Sequence, residues 1–379
     1  MFSTNRFIKV LLPIFVPAFY CIQHLFYKPG NHYENLRSKY AQPIDKWPKP
    51  WVDLNVPWEE LEGLPYDVSF FEEQEQPIAE LGKLLFFDPR LSGSNQISCS
   101  SCHDPQLGWS DGRDVALGND HLQGHRNSIS ILNVKHRRQL FWDGRVKALE
   151  DQALSPILAH HEMASDTTQL IAKLKRIKGY TPHFELAFRA KKWGINEILE
   201  ALAAFQQTIK GRQSRFDLFV AGDYTKLSDQ EIKGLHLFRT KGRCMNCHYG
   251  PYFTDHKFHN IGLTYYKRDY QDLGRFHITQ NPEDVGRFQT PMLRDVMNSG
   301  PWMHNGLFDD MEGIISLYNT GMQTINPSKE EKLADPLFPI TDPLLKPLQL
   351  DIEEIEAIAA FMQSITATAY KMERPKLPN

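Results

Sequence analysis

Two pairs of cysteines, each followed directly by a histidine, are the residues of this sequence best suited to chemistry. The first pair lies in SCSSCHDPQLGW (residues 98–109) and the second in RCMNCHYGPYF (residues 243–253). The residues concerned are Cys99, Cys102, His103, Cys244, Cys247 and His248. Because Cys21 is the only further cysteine among the 379 residues, a disulfide framework does not account for the pairs.

The pattern C-x-x-C-H suits covalent attachment of a haem. Its two thiols can add to the two vinyl groups of the haem, and the histidine then lies under the iron as the proximal ligand. A zinc site would need two more Cys or His ligands beside each pair, and a redox dithiol would need a thioredoxin-like strand and helix but no histidine. Since the whole motif occurs twice, we predict two covalently bound haem c groups, with His103 and His248 as iron ligands.

The N-terminus carries the features of an export signal. Arg6 and Lys9 precede an apolar run from Val10 to Ile22, which is short for a membrane span and has no evident small-x-small cleavage site. The sequence therefore leaves two alternatives open for residues 1–30, a cleaved signal peptide and an N-terminal anchor in the inner membrane. Haem c attachment takes place outside the cytoplasm, so either alternative agrees with a periplasmic protein.

The composition is that of a globular protein. With 41% hydrophobic and 23% charged residues, the chain is long enough for two domains with cores of their own. A formal net charge of -3, without long runs of Lys or Arg, indicates no surface for nucleic acid. Residues 31–76 are rich in Pro and Trp and show no sustained helical period, so we expect an extended segment there.

Helical patterns dominate from residue 77 onward, and strand signals are scarce. The expected helices are PIAELGKLLFF, TTQLIAKLKRI, NEILEALAAFQQTI, SDQEIKGLHLFRT and DIEEIEAIAAFMQSI. We predict that Asn196 is the N-cap of the third helix. For the fourth helix we predict Ser228 as the N-cap, with Glu231 completing a capping box.

A repeated signature links the helices to the cysteine pairs. Each pair follows a helix that contains G-x-x-L-F, starting at Gly82 and at Gly234. Self-similarity of this kind indicates two related modules. We therefore expect a mainly α fold with two cytochrome c-like haem domains, the N-terminal one over residues 77–225 and the C-terminal one over residues 226–370.

Further motifs follow each cysteine pair. After the first come RNSISILN (residues 126–133) and FWDGRVKALEDQALSPILAHHEM (residues 141–163), and after the second come FTDHKFHNIGL, RFQTPMLRDV and GPWMHNGLF. In order and spacing, over roughly residues 81–362, these motifs resemble the bacterial di-haem cytochrome c peroxidase family, including its MauG-like branch.

The resemblance implies roles for three residues of the longest motif. Trp142 matches the tryptophan between the two haems that carries electrons, Glu162 matches the distal-pocket glutamate of the N-terminal haem, and Gln152 matches a residue that lines the same pocket. The role of Glu162 is chemically reasonable, because a carboxyl in an apolar pocket can have its pKa raised into the range useful for moving a proton between the two oxygens of a peroxide.

The resemblance also implies a calcium ion between the haems. Asn127 matches the residue whose side chain binds the ion, and Ser299 and Pro301 fall where the family supplies backbone carbonyls. Oxygen ligands of this kind suit a hard cation, so one calcium ion is expected in addition to the two haems.

Two features of iron coordination leave alternatives open. Counted from the P-W-x-H motif, the sixth ligand of the C-terminal haem is Tyr318, as in the MauG-like branch, and Met303 or Met322 is the alternative. A histidine cap on the resting N-terminal haem would have to come from His121 or His125, but neither has the spacing of the family's capping histidine. The resemblance therefore favours an open N-terminal site.

For function, the resemblance implies an enzyme that reduces hydrogen peroxide at the N-terminal haem. Electrons would pass through the C-terminal haem from a small exported donor protein, a cytochrome c or a cupredoxin. One alternative is MauG-like oxidation of a protein or small-molecule substrate by a high-valent dihaem centre. A second alternative, electron transfer without enzymatic activity, would need both irons to be fully ligated. No motif identifies the donor or the substrate, or decides whether the chain forms a homodimer.

Overall fold

The computed structural model describes residues 35–64, 76–189, 192–323, 325–368 and 372–379. The predicted signal or anchor at residues 1–30 lies outside these residues. Within the described part of the chain, no helix is both long enough and apolar enough to cross a membrane.

Helices joined by long loops make up the described residues, so the predicted mainly α fold is confirmed. In chain order they are α1 (Leu36–Tyr40), α2 (Pro77–Phe87), α3 (Cys99–Cys102), α4 (Leu149–Leu158), α5 (Thr167–Arg176), α6 (Tyr180–Phe188), α7 (Ile195–Gln207), α8 (Arg215–Val220), α9 (Asp229–Arg239), α10 (Phe276–Thr279), α11 (Met311–Asn319), α12 (Lys329–Ala334) and α13 (Ile352–Ser364). Two short strands, β1 (Phe258–His259) and β2 (Phe288–Gln289), pair antiparallel.

The same helix crossing occurs twice. Helix α2 packs on α7 and α9 packs on α13, and in each case a glycine lies at the crossing. A Cβ at Gly82 would lie 1.8 Å from the carbonyl oxygen of Ala201, and one at Gly234 would lie 1.9 Å from that of Ala357. Only glycine lets the two backbones approach so closely. The G-x-x-L-F signature is thus the sequence mark of a repeated helix pair.

Each helix pair carries an aromatic core next to its cysteine motif. Phe86 and Phe205 pack with ring centroids 5.1 Å apart and planes 60° apart in the first module. Phe238 and Phe361 pack at 5.3 Å and 60° in the second. Tilted arrangements of this kind are favourable for aromatic rings. Both cores are buried, so each gives its cysteine motif a rigid support.

The N-cap predictions have opposite outcomes. The Ser228 side chain accepts from Glu231 N–H at 3.2 Å and the Glu231 carboxylate accepts from Ser228 N–H at 2.7 Å, so the predicted capping box is confirmed. The prediction for Asn196 is wrong. The N-cap of α7 is Gly194, two residues before Asn196, and its N–H donates to Glu197 Oε2 at 2.8 Å. The Glu197 carboxylate thus makes the reciprocal bond of a capping box, while Gly194 has no side chain to make the other bond.

The described part of the Pro- and Trp-rich segment, residues 35–64, contains the short helix α1, which its sequence did not predict, and contacts the second module. Trp51 N–H donates to the carbonyl of Arg239 at 2.8 Å. Asp53 N–H donates to Asn246 Oδ1 at 2.9 Å, and Asn246 lies between the two cysteines of the second motif. The segment therefore supports the loop that carries the second pair of thiols.

Candidate haem sites

The first cysteine motif forms a single helical turn. Cys99 to Cys102 make up α3, and His103 follows as its C-cap. The Nδ1 atom of His103 lies 3.1 Å from the carbonyl oxygen of Trp109, which has a positive φ of 61°. Burial lowers the pKa of His103 to about 4, so the imidazole is neutral. With Nδ1–H donating to Trp109, the Nε2 lone pair is left for a metal, which is the usual arrangement of a ligating histidine.

The second motif repeats this geometry. His248 Nδ1 lies 2.9 Å from the carbonyl oxygen of Phe253, which also has a positive φ, of 55°. Burial lowers the pKa of His248 as well. The four cysteines of the two motifs are all free thiols, as haem attachment requires. Each motif thus presents two thiols and an oriented imidazole nitrogen.

A large apolar cavity of about 240 Å³ opens beside the second motif. Residues in its wall include Trp142, Cys244, Cys247, His248, Met303, His304 and Tyr318. The buried guanidinium of Arg137 also lines it, and no described carboxylate lies within ion-pair distance. Burial lowers the pKa of Arg137 to about 10, and its Nε atom has no hydrogen-bond partner among the described residues. The apolar ring of a haem would match the apolar wall of this cavity. The anionic propionates of a haem would match the Arg137 guanidinium, which has no carboxylate partner among the described residues.

Tyr318 lies on α11 and faces the same cavity as the second cysteine pair. Burial and the nearby thiols of Cys247 and Cys244 raise the pKa of its phenol above the ordinary value. No described residue hydrogen-bonds to the hydroxyl. Met303 also lines the cavity, whereas Met322 is buried but not part of the wall. The position is suitable for an axial ligand, and the choice of Tyr318 stays a prediction.

Trp142 is 8% exposed and lies in the cavity wall on the side of the first module. Its Nε1–H donates to the carbonyl of Asn127 at 3.0 Å. The ring meets the imidazole of His304 edge-on, at 6.5 Å between centroids and 73° between planes. Two directional contacts therefore hold the indole in one orientation.

An ion-pair network fixes the loop that carries Trp142. Arg126 donates to Asp143, the next residue after Trp142, at 2.6 Å. It also binds Asp272, from the second module, through two bonds of 2.6 and 2.9 Å. All three side chains are largely buried. The network thus joins the two modules next to Trp142, the residue predicted to carry electrons.

Glu162 lies in the turn after α4, and Asn119 N–H donates to its carbonyl at 2.7 Å. Burial raises the pKa of its carboxyl, while the charges of His161, Arg145 and His125 act in the opposite direction. The carboxyl is close enough to Cys102 to raise the pKa of that thiol, although burial is the larger cause. The proton-transfer role of Glu162 stays a prediction.

Comparison with known proteins agrees with this geometry. Residues 76–225 match the model of the family described as di-haem cytochrome c peroxidase. The methylamine utilization protein MauG of Methylophilus methylotrophus is 36% identical over 307 residues, covering 79% of this chain and 85% of that protein. The cytochrome c551 peroxidase of Nitrosomonas europaea is 32% identical over 303 residues, covering 79% and 83%.

The chain belongs to the di-haem cytochrome c peroxidase family. A crystal structure of a MauG-like protein associated with microbial copper homeostasis has a TM-score of 0.68 and 27% identity, and the match covers 84% of this chain and 93% of that one. As a member of this family, the protein is a peroxidase-type oxidoreductase, and the family implies two c-type haems, hydrogen peroxide as oxidant and a cytochrome donor. The predicted family and enzyme class are confirmed.

The predicted calcium ligands of this di-haem peroxidase lie together. Asn127, Ser299 and Pro301 all border the cavity of the second module. The Asn127 amide donates to the carbonyls of Arg113 at 2.9 Å and Pro301 at 3.2 Å. Carbonyl oxygens thus converge at this point, which suits a hard cation once the amide turns its own oxygen inward. The ion itself stays a prediction.

The other predicted residue of the first site, Gln152, lies on α4 and is half-buried. No hydrogen bond joins its side chain to Glu162 among the described residues. His121 borders a separate polar pocket with Ser94 and Arg113, and His125 packs against His161. The roles of these side chains stay predictions.

Sequence reasoning did not find a buried triad beside the second haem site. His259 Nδ1 lies 2.6 Å from Asp342 and its Nε2 lies 2.9 Å from Asp255. Burial disfavours its charge, but the two carboxylates outweigh burial and raise the pKa of His259 to about 12. The spacing of Asp255 and His259 in FTDHKFH hints at a pair, whereas Asp342 is too distant in sequence to be recognised.

Proposed function

We propose that this protein reduces hydrogen peroxide to water in the first module, with electrons entering through the second. The observation that carries the proposal is the position of the Glu162 carboxyl close to the first cysteine motif, where partial burial raises its pKa. The haems, when bound, supply the electrons that O–O cleavage consumes. Glu162 takes a proton from one peroxide oxygen and delivers it to the other, so that the leaving oxygen departs as water.

The path for electrons rests on the placement of Trp142. Its indole borders the second cavity and hydrogen-bonds to Asn127 of the first module. The buried Arg126 network keeps its loop still, which maintains a constant distance for electron transfer. We infer that electrons from a small exported cytochrome c or cupredoxin pass from the second haem to the first by way of Trp142.

We also propose how the haem modules and the calcium ion are arranged along the chain. The repeated helix pair supports one haem module at residues 77–225 and another at residues 226–370, with a calcium ion near Asn127 between them. Attachment of haem c outside the cytoplasm supports a periplasmic location.

The second candidate is MauG-like oxidation of a protein or small-molecule substrate. The specific observation in its favour is Tyr318, a partly buried phenol without a described hydrogen-bond partner that faces the second pair of haem-attaching thiols. A phenolate is a harder, anionic donor than a thioether, so it would favour the oxidised state of the second haem.

One experiment separates the two candidates. Hydrogen peroxide is added to the purified di-haem protein with and without a reduced cytochrome c, and both absorbance spectra are followed. Sustained oxidation of the cytochrome supports the peroxidase. A long-lived oxidised state of the protein that does not react with the reduced cytochrome supports the MauG-like activity.

A further inference from the structure

Two histidines lie beside Glu162 in the first module. The Nε2 atom of His161 lies 3.6 Å from Glu162 Oε1, and both side chains are 35% exposed. The ring of His125 packs against that of His161, with 4.9 Å between centroids and 54° between planes, and His125 is exposed. His161 is thus a partly exposed histidine within ion-pair distance of the one carboxyl that the proposed function uses.

Peroxide reduction consumes protons as well as electrons. Conversion of one hydrogen peroxide into two waters takes up two electrons and two protons. The transfer performed by Glu162 between the two oxygens moves a proton already present on peroxide, so it supplies neither of the two. Both must come from solvent into the pocket that Glu162 borders. A side chain that exchanges protons near neutral pH is suited to deliver them, and histidine is the residue of that kind.

We propose that His161 is the proton-relay residue of the first site, taking protons from solvent and passing them to Glu162. This inference rests on the proposed function. In each delivery, the imidazolium of His161 gives its Nε2 proton to the Glu162 carboxylate, and neutral His161 then takes a new proton from water. Two such deliveries supply the two protons that each turnover consumes, and no further reactant is needed.

The surroundings of His161 allow this exchange. The charged and titratable groups that face it are Glu162 on its own turn and His125 on the neighbouring loop, while Arg145 acts on the same carboxyl. The turn is held in place, because Asn119 N–H donates to the backbone of Glu162 at 2.7 Å. The three side chains do not form a metal site, since the one metal-like cluster among the described residues is Cys247, Asp255 and His259.

His161→Gln tests the relay, with His160→Gln as a matched control. Glutamine keeps a hydrogen-bonding side chain but cannot carry the proton. His160 is the adjacent residue of the same type and is exposed, and no hydrogen bond or ion pair between its side chain and Glu162 is found among the described residues. At pH 7 we expect turnover of the His161 variant to fall roughly tenfold, less than the roughly 10²- to 10⁴-fold of a direct proton donor, because water can still reach Glu162. The pH profile of turnover should differ between wild type and His161→Gln, and it should be the same in wild type and His160→Gln.

A second measurement does not depend on activity. Infrared spectra of the ferric holoprotein, recorded against pH, follow the carboxylic-acid band that Glu162→Gln removes. His161 is the first of the charges that lower the pKa of Glu162. In His161→Gln the acid band should therefore persist to higher pH than in wild type, and His160→Gln should leave it unchanged.

The outcomes distinguish the two proposals. Equal turnover and equal infrared titration in the His161 and His160 variants would overturn the relay while leaving peroxidase activity intact. A low-spin ferric signal of the first haem that disappears only in His161→Gln would make His161 an iron ligand and would also overturn it. Absence of peroxide turnover in wild type would refute the proposed function instead, and the infrared result would still decide whether His161 and Glu162 are coupled.

Discussion

Replacing Arg126 by methionine should weaken the junction between the two modules. Methionine keeps most of the apolar stem but removes three charged hydrogen bonds, one to Asp143 and two to Asp272. Breaking one partner of a buried ion pair costs about 3–5 kcal/mol. The lower end applies here, because Asp143 keeps Arg145 and Asp272 keeps the N–H of Gly274. At about 2 °C per kcal/mol for a chain of this size, the loss corresponds to about 6 °C in melting temperature.

The effect should depend on pH with a defined sign. Burial raises the pKa of Asp272, but the bond to Arg126 outweighs burial and the net pKa is lowered. A carboxyl whose folded pKa is depressed contributes stability above its unfolded pKa and loses it as pH falls through the folded pKa. The difference between wild type and Arg126→Met should therefore be full at pH 7 and shrink at acid pH below about 4.

The assay is thermal unfolding of the ferric holoprotein, followed by far-ultraviolet circular dichroism. Arg287→Met is the matched control, since Arg287 is partly exposed and lies 3.6 Å from Asp284. Loss of such a surface pair should change stability by less than about 1 kcal/mol. If the two variants melted at the same temperature, the buried network would not be the link between the modules. Slower electron transfer between the haems of Arg126→Met would show that the network also positions Trp142.

Three more predictions follow from the helix crossing, the second haem and the electron path. Gly234→Ala should give little folded holoprotein, because its Cβ would lie 1.9 Å from the Ala357 carbonyl; expression with a normal haem spectrum would contradict the crossing. Tyr318→Phe should abolish the low-spin ferric signal of the second haem in electron paramagnetic resonance, whereas loss of that signal only in Met303→Leu would point to a thioether ligand. Trp142→Phe should slow electron transfer between the haems and leave peroxide binding unchanged; stopped-flow rates equal to wild type would make Trp142 structural.

Much of the fold could be predicted because its determinants are local in sequence. The helix α2 and the capping box at Ser228 follow from apolar spacing and from two side chains three residues apart. The cysteine motifs were recognisable for the same reason. Asn196 was misassigned because a glycine N-cap served by Glu197 has no side-chain signal at the cap itself.

Contacts between distant residues could not be predicted. Arg137 is one of two adjacent arginines in sequence, and only folding shows that its side chain is buried in the wall of the second cavity. The bond between His259 and Asp342 likewise joins residues 83 positions apart. In both cases the decisive quantity is the desolvation of a charge, which depends on the folded surroundings.

The role of Glu162 is tested most directly by peroxide turnover of Glu162→Gln with a reduced cytochrome c as donor. Glutamine preserves the size of the side chain but cannot carry a proton, so turnover should fall by roughly 10²- to 10⁴-fold while both haem spectra stay close to native. Glu185→Gln, an exposed position in the same module, should turn over at the wild-type rate. Turnover of Glu162→Gln equal to that of Glu185→Gln would contradict the account.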